Sequence, residues 1–98
     1  MTRTDIFIQI CKERDRQHSL WGIQNHGMIP GNMRYRFEKL ANKYKKSSVK
    51  KVAKKKLTWY DVLLEEIYEA FSEEDVKRQR EEFIQAASVI VQILENMH

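Results

Sequence analysis

The sequence predicts an all-α fold of about four helices, and three observations carry that prediction. The single proline and all three glycines fall between residues 22 and 31, so long stretches on either side lack helix breakers. A third of the chain is charged, at 33%. Apolar residues recur at spacings of three and four in four separate segments, the period of a helix with one buried face.

A first helix is expected to start near Thr4 or Asp5, either of which can cap it, with Ile6, Phe7, Ile10 and Cys11 as a short apolar stripe. Lys12 to His18 is almost wholly polar. The stretch Trp21–Gly31 holds every glycine and the proline, and is expected to be irregular. A second helix fits Met33 to about Tyr44, with Met33, Phe37, Leu40, Ala41 and Tyr44 on one face. A lysine-rich loop is expected at about 43–56. Thr58 then caps a third helix, with Asp61 at the capping-box position and Leu63, Leu64, Ile67 and Phe71 as its apolar face. Ser72-Glu73-Glu74-Asp75 repeats the cap pattern and marks a tight turn into a fourth helix that runs almost to the end.

That last helix carries an apolar seam of Val76, Phe83, Ala87, Ile90, Leu94 and Met97. Further apolar groups, Ile84, Ala86, Val89, Val91 and Ile93, cover most of its remaining surface. A helix apolar nearly all round is buried within its subunit or at an oligomer interface. Gln85, Ser88 and Gln92 form a narrow polar seam, which either bonds across an interface or faces a cleft. The cleft is the preferred reading, because Glu81 and Glu82 lead into it.

Ninety-eight residues make one domain, 1–98, with a limited core, so completion by a second copy is expected. No apolar run approaches the ~20 residues that span a bilayer, and no secretory signal is visible. Cys11 is the only cysteine, so no intrachain disulfide can form. These features suit a soluble cytoplasmic protein. The net charge of +4 hides an asymmetry: eight of the eighteen basic residues are lysines between 43 and 56, where no acid occurs. The ten that remain stand against fourteen acidic residues. Such a lysine run is either a solvated linker or a contact for phosphates or nucleic acid.

The chemistry is concentrated in two segments. Glu66 and Glu69 lie three apart on the third helix, and Glu82 and Gln85 lie three apart on the fourth. Residues at that spacing share a helix face. Carboxylates converging from two helices can hold Mg²⁺ against a phosphate chain. Periodicity alone leaves a second reading of the third helix. Leu63, Ile67 and Phe71 set its apolar direction, Glu69 lies nearly opposite, and all its glutamates could simply be solvated.

The acidic pairs, with twelve residues between Glu69 and Glu82, resemble the Glu-x-x-Glu…Glu-x-x-Asp signature of the MazG-like all-α nucleoside triphosphate pyrophosphohydrolases. Glu13-Arg14-Asp15-Arg16-Gln17, Trp21-Gly22-Ile23-Gln24-Asn25-His26 and Thr58-Trp59 are similar to blocks in the small phage and prophage members of that family. The likeness covers roughly residues 10 to 95. It implies Mg²⁺-dependent hydrolysis of a nucleoside triphosphate, often a deoxynucleotide, to monophosphate and pyrophosphate. It also implies a homodimer or higher homo-oligomer with sites near the subunit contacts. Mn²⁺ is the alternative ion.

On this reading Glu66, Glu69, Glu82 and Gln85 are the metal set. Glu69 also acts in catalysis with Glu65, which orients water or stands as an outer base. Gln85 departs from the signature's Asp, and an amide is a weaker Mg²⁺ ligand than a carboxylate. Either Glu81 or Glu65 supplies the missing charge, or fewer ions bind, or the site binds nucleotide without cleaving it. Trp21, Asn25 and His26 are candidate base-reading residues in a glycine-punctuated loop. The plainer alternative makes Trp21 a core plug and Asn25 a turn cap. Lys56 is the candidate triphosphate contact from the lysine run. Arg78 is the candidate from the last helix, on the same polar side as Gln85 and Gln92; it could instead pair with Glu74 or Glu82. Two other functions compete: a nucleotide-binding module without turnover, and nucleic-acid binding through the lysine run. The second is the weaker, since that run lacks interleaved aromatics.

Overall fold

In the computed structural model, which describes residues 1–97, four helices follow one another: α1 (Arg3–Trp21), α2 (Arg34–Ala53), α3 (Trp59–Ser72) and α4 (Val76–Asn96). No strand occurs among the described residues, so the all-α expectation holds. The central element is α3, which packs against α2 on one side and α4 on the other; α1 touches α4 alone.

The helix ends follow from local chemistry. Thr2, not Thr4 or Asp5, caps α1: its hydroxyl accepts from the Asp5 amide and the Asp5 carboxylate accepts from the Thr2 amide, both at 3.1 Å. The cap lies two residues early because Asp5 serves as the reciprocal partner in the first turn. Trp21 is the last residue of α1, and Gly22 stops the helix with φ +65°, a conformation glycine adopts without penalty. Thr58 and Asp61 form the expected capping box of α3. The second expected cap fails. Ser72 is the last residue of α3, and its hydroxyl donates back to the Glu69 carbonyl; Asp75 takes the N-cap position of α4 without a side-chain bond. The α3–α4 turn is tied instead by Gln79, whose amide donates to the Ala70 carbonyl at 3.0 Å.

The lysine run is mostly helix. Instead of ending near Tyr44, α2 continues to Ala53, so only Lys54–Thr58 connects it to α3. Like charges did not prevent this, for two reasons. Lysine is a good helix former and is favoured near a C-terminus. The face made by Tyr44, Ser48 and Lys51 is also held by α3: Tyr44 stacks on Tyr68 at 5.7 Å, and Lys51 meets Asp61 at 2.6 Å. The remaining lysines are exposed, Lys45 among them at the edge of a cleft. The helix closes with Lys55 at φ +55° and the Lys56 amide bonded back to the Lys51 carbonyl.

A chain of rings, half-buried except for the exposed Tyr60 at its end, joins the last three helices. Tyr60, Tyr44, Tyr68, Phe37, Phe71 and Phe83 follow one another with centroids 5.1–6.3 Å apart, crossing repeatedly between α2 and α3 before reaching α4. Ala41 and Ala70 are buried where the helices run close. The expected α4 seam is not the buried one. Val76, Ile90 and Met97 are exposed, while Ala86, Val89 and Val91 are buried. A helix with two partners at different angles cannot be described by one stripe. One face of α4 carries Phe83 and Gln79 to α3, and another, through Ile84, Ala87 and Val91, borders α1.

The molecule is open for its size. Its radius of gyration is 15.6 Å, against about 13 Å for a compact chain of this length.

Candidate functional site

Because α3 is covered on both sides, its glutamates cannot all reach open solvent. Every residue from Val62 to Glu69 is half-buried. The cleft where α2, α3 and α4 meet has a volume of about 280 Å³ and is lined by Arg34, Glu38, Asn42 and Lys45 of α2, Glu69 of α3 and Glu82 of α4, among others. Small ligand sites usually run from roughly 300 Å³ upward, so this one has room for a metal ion with phosphate groups and not for a whole nucleotide.

The carboxylates feel one another. Burial raises the Glu66 carboxyl above its ordinary range, and the charges of Glu69 and Glu65 add to the effect. Glu69 is raised by burial and by Glu65, with Lys45 acting in the opposite sense. Glu82 is raised by burial, then by Glu73, Glu69 and Glu66 across the helix boundary, while Arg78 opposes. One oxygen each of Glu66 and Glu82, Oε2 in both cases, is buried without a hydrogen-bond partner. Leaving a buried acceptor unpaired costs on the order of 1–3 kcal/mol. Among the described residues no three His, Cys, Asp or Glu side chains are grouped so that they could together hold a metal ion. Glu69 and the orphaned oxygen of Glu82, both at the open cleft, suit a hard cation that takes one or two carboxylates and fills its shell with water and phosphate oxygens; Glu66 stands beside them without lining the cleft.

Several expected members lie elsewhere. Gln85 is exposed beside Lys77, Arg80, Glu81 and Ile84, outside the cleft. The polar seam therefore does not share one cleft with Glu82: Ser88 and Gln92 face a groove against α1. Trp21 is 57% exposed at the end of α1, and Asn25 and His26 are exposed in the loop beyond it. Within this chain α1 makes no contact with α2 or α3, none of these three residues lines the cleft, and Trp21 is not a core plug. Lys56 precedes α3, whereas Glu69 lies near the other end of that 14-residue helix, on the order of 15 Å along the axis. Arg78 stands near Glu82 and also lies 3.8 Å from Asp75. Glu65 adjoins Glu66 and Glu69 without lining the cleft.

Sequence reasoning missed Arg34, Glu38, Asn42 and Lys45. The signal was present: Glu38, Ala41, Asn42 and Lys45 follow helical spacing on one face of α2. Ending the helix near Tyr44 placed Lys45 in a linker. Arg34 pairs with Glu74 at 2.5 Å, whereas Lys45 has no ion-pair partner among the described residues. Comparison of the chain with protein-family models, curated proteins and solved structures finds no match.

The crowding predicts a trade-off. A carboxyl whose folded pKa is raised binds more protons folded than unfolded, so its contribution to stability falls as pH rises from about 4.5 through the raised value. Without divalent ions at pH 7, Glu66→Gln or Glu82→Gln is therefore expected to raise the melting temperature, by about 2–6 °C. Mg²⁺ should stabilise the parent protein and not these variants. Calorimetry with and without Mg²⁺ checks both; variants that melt lower than the parent would mean that the carboxylates do not strain the fold.

Proposed function

We propose that this chain is a Mg²⁺-dependent nucleoside triphosphate pyrophosphohydrolase of the MazG-like kind, releasing monophosphate and pyrophosphate. The observation that carries the reading is the pairing of Glu69 and Glu82 on one cleft, with Glu66 close enough to act on Glu82 through its charge and a buried unpaired oxygen on both Glu66 and Glu82. Glu69 and Glu82 would hold the ion, with Glu66 beside them and Mn²⁺ as the alternative. When bound, a divalent ion neutralises the triphosphate and polarises the phosphoryl group under attack.

The chain's own groups divide the remaining work. Lys45, on the cleft wall opposite the carboxylates, supplies a positive charge for phosphate oxygens, and Arg34 supplies a second at the rim. Glu69, through the oxygen it does not give to the ion, would accept the proton from the attacking water. Glu65, next in line, orients that water or supports Glu69 from behind. The cleft is too small for the base and sugar, which must lie outside it against other surfaces.

Pyrophosphate release from a panel of ribo- and deoxynucleoside triphosphates, with and without Mg²⁺ or Mn²⁺, tests the reading. Metal-dependent release is expected. Nucleotide-induced stabilisation without turnover would point to a binding module instead. Lys45→Met is expected to raise KM about tenfold with a smaller effect on kcat, as for the loss of one ground-state phosphate contact. An unchanged KM would remove Lys45 from the site.

A further inference from the structure

As a loop, the lysine run would present no fixed surface; as part of α2, it presents a ladder. Arg36, Lys39, Lys43, Lys46 and Lys50 follow one another at steps of three and four residues. At about 100° per residue they fall within an arc of about 80°, and they span about 21 Å of the helix axis. All five are exposed, and none takes part in an ion pair among the described residues. The one acid of α2, Glu38, lines the carboxylate cleft, as does Lys45, and none of the five does. Because α2 packs on α3 alone, the ladder stands at the outer edge of the molecule.

A plain solvated helix face alternates the two signs of charge. This one carries a single sign along its whole length. Neighbouring like charges at this spacing repel, so the ladder works against the helix that bears it. A polyanion laid along it removes that repulsion.

We infer that this face of α2 is a docking surface for duplex DNA, held through the phosphate backbone without reading of the bases. Charge complementarity selects the partner. A duplex carries one negative charge per about 1.7 Å of its axis, and release of its condensed counterions drives binding to a row of cations. Four of the five groups are lysines, compact point charges suited to phosphates. The one amide side chain of α2, Asn42, lines the cleft and is not placed to read a base edge from the ladder. Single strands are held in grooves with aromatic stacking platforms. Here the face is convex, and the exposed ring beside it, Tyr35, is covered by Lys39 Nζ at 4.6 Å from its centroid. Lipid would be met by an apolar helix side, and that of α2 is packed on α3 through Phe37 and Tyr44.

The test is fluorescence anisotropy of a labelled DNA duplex of random sequence, titrated with the full chain. Between about 50 mM and about 200 mM salt the association constant is expected to fall about 150- to 500-fold, as four or five phosphate contacts require. Lys43→Gln with Lys46→Gln and Lys50→Gln keeps helix propensity and should lower the slope of log affinity against log salt by about 2.7. If that triple variant does not fold, Lys46→Gln alone should lower the slope by about 0.9. The control, Lys12→Gln with Lys77→Gln and Arg80→Gln, removes the same charge from exposed positions on α1 and α4 and should bind within about threefold of the parent. A parent that binds no duplex at about 50 mM salt, or a control that weakens as much as the ladder variant, would overturn the inference. So would tighter binding to a single strand of equal length or to vesicles rich in phosphatidylserine. The ladder lies outside the carboxylate cleft, so the inference does not rest on the proposed activity, and the ladder variant should release pyrophosphate at the parent's rate.

Discussion

Replacing Glu69 by glutamine is expected to lower metal-dependent pyrophosphate release at least about 100-fold, with the fold intact. The substitution keeps shape and removes one charge. Glu69 lines the cleft, crowds the charge of Glu82 and faces Lys45. It is both ion ligand and proton acceptor in the proposed reaction, so losing its charge removes two functions. Glu66→Gln should fall comparably. Gln85→Ala, by contrast, should change activity less than about threefold, because Gln85 lies outside the cleft. Steady-state rates with saturating Mg²⁺ decide the matter. Full activity in Glu69→Gln would break the assignment, and a loss in Gln85→Ala as large as in Glu69→Gln would restore the two-pair site that the sequence suggests.

The second large effect is on stability. Asp61→Ala is expected to lower the melting temperature by on the order of 10–20 °C at matched protein concentration. Asp61 is 2% exposed, yet three groups meet its carboxylate: Lys51 Nζ at 2.6 Å on Oδ1, and the Thr58 hydroxyl at 2.7 Å and amide at 3.1 Å on Oδ2. It thereby caps α3 and ties the end of α2 to it. Removing it leaves the Lys51 ammonium without its partner and the cap unmade. The hydrogen bonds from Lys51 and Thr58 hold the Asp61 carboxyl down at about 2, from an ordinary 3.8. A depressed carboxylate contributes stability that is present above its unfolded pKa and lost as pH falls through the folded one. The parent should therefore lose this contribution between about pH 4 and pH 2, and the variant should show a flatter acid limb in that window. A variant melting within 2–3 °C of the parent would mean that the α2–α3 corner is held by the aromatic chain alone.

The sequence by itself determined the helical class and several local facts, because those depend on neighbours in the chain. Thr58 and Asp61 form the expected capping box. The glycine- and proline-bearing stretch is irregular, and Glu66 and Glu69 share a helix with Glu82 on the next. Long-range choices were not legible. Helical spacing made Glu66 and Glu69 equally good solvated residues; their burial follows from α3 being the middle helix of three. The lysine run read as a loop because charge repulsion is visible in a sequence, whereas a partner such as Asp61 for Lys51 is visible only once α2 and α3 are packed. Gln85 follows Glu82 by the same three residues that link Glu66 and Glu69, yet Glu82 lines the cleft and Gln85, about 60° further round the helix, lies outside it. Periodicity tells which residues share a face, and only packing tells what that face meets.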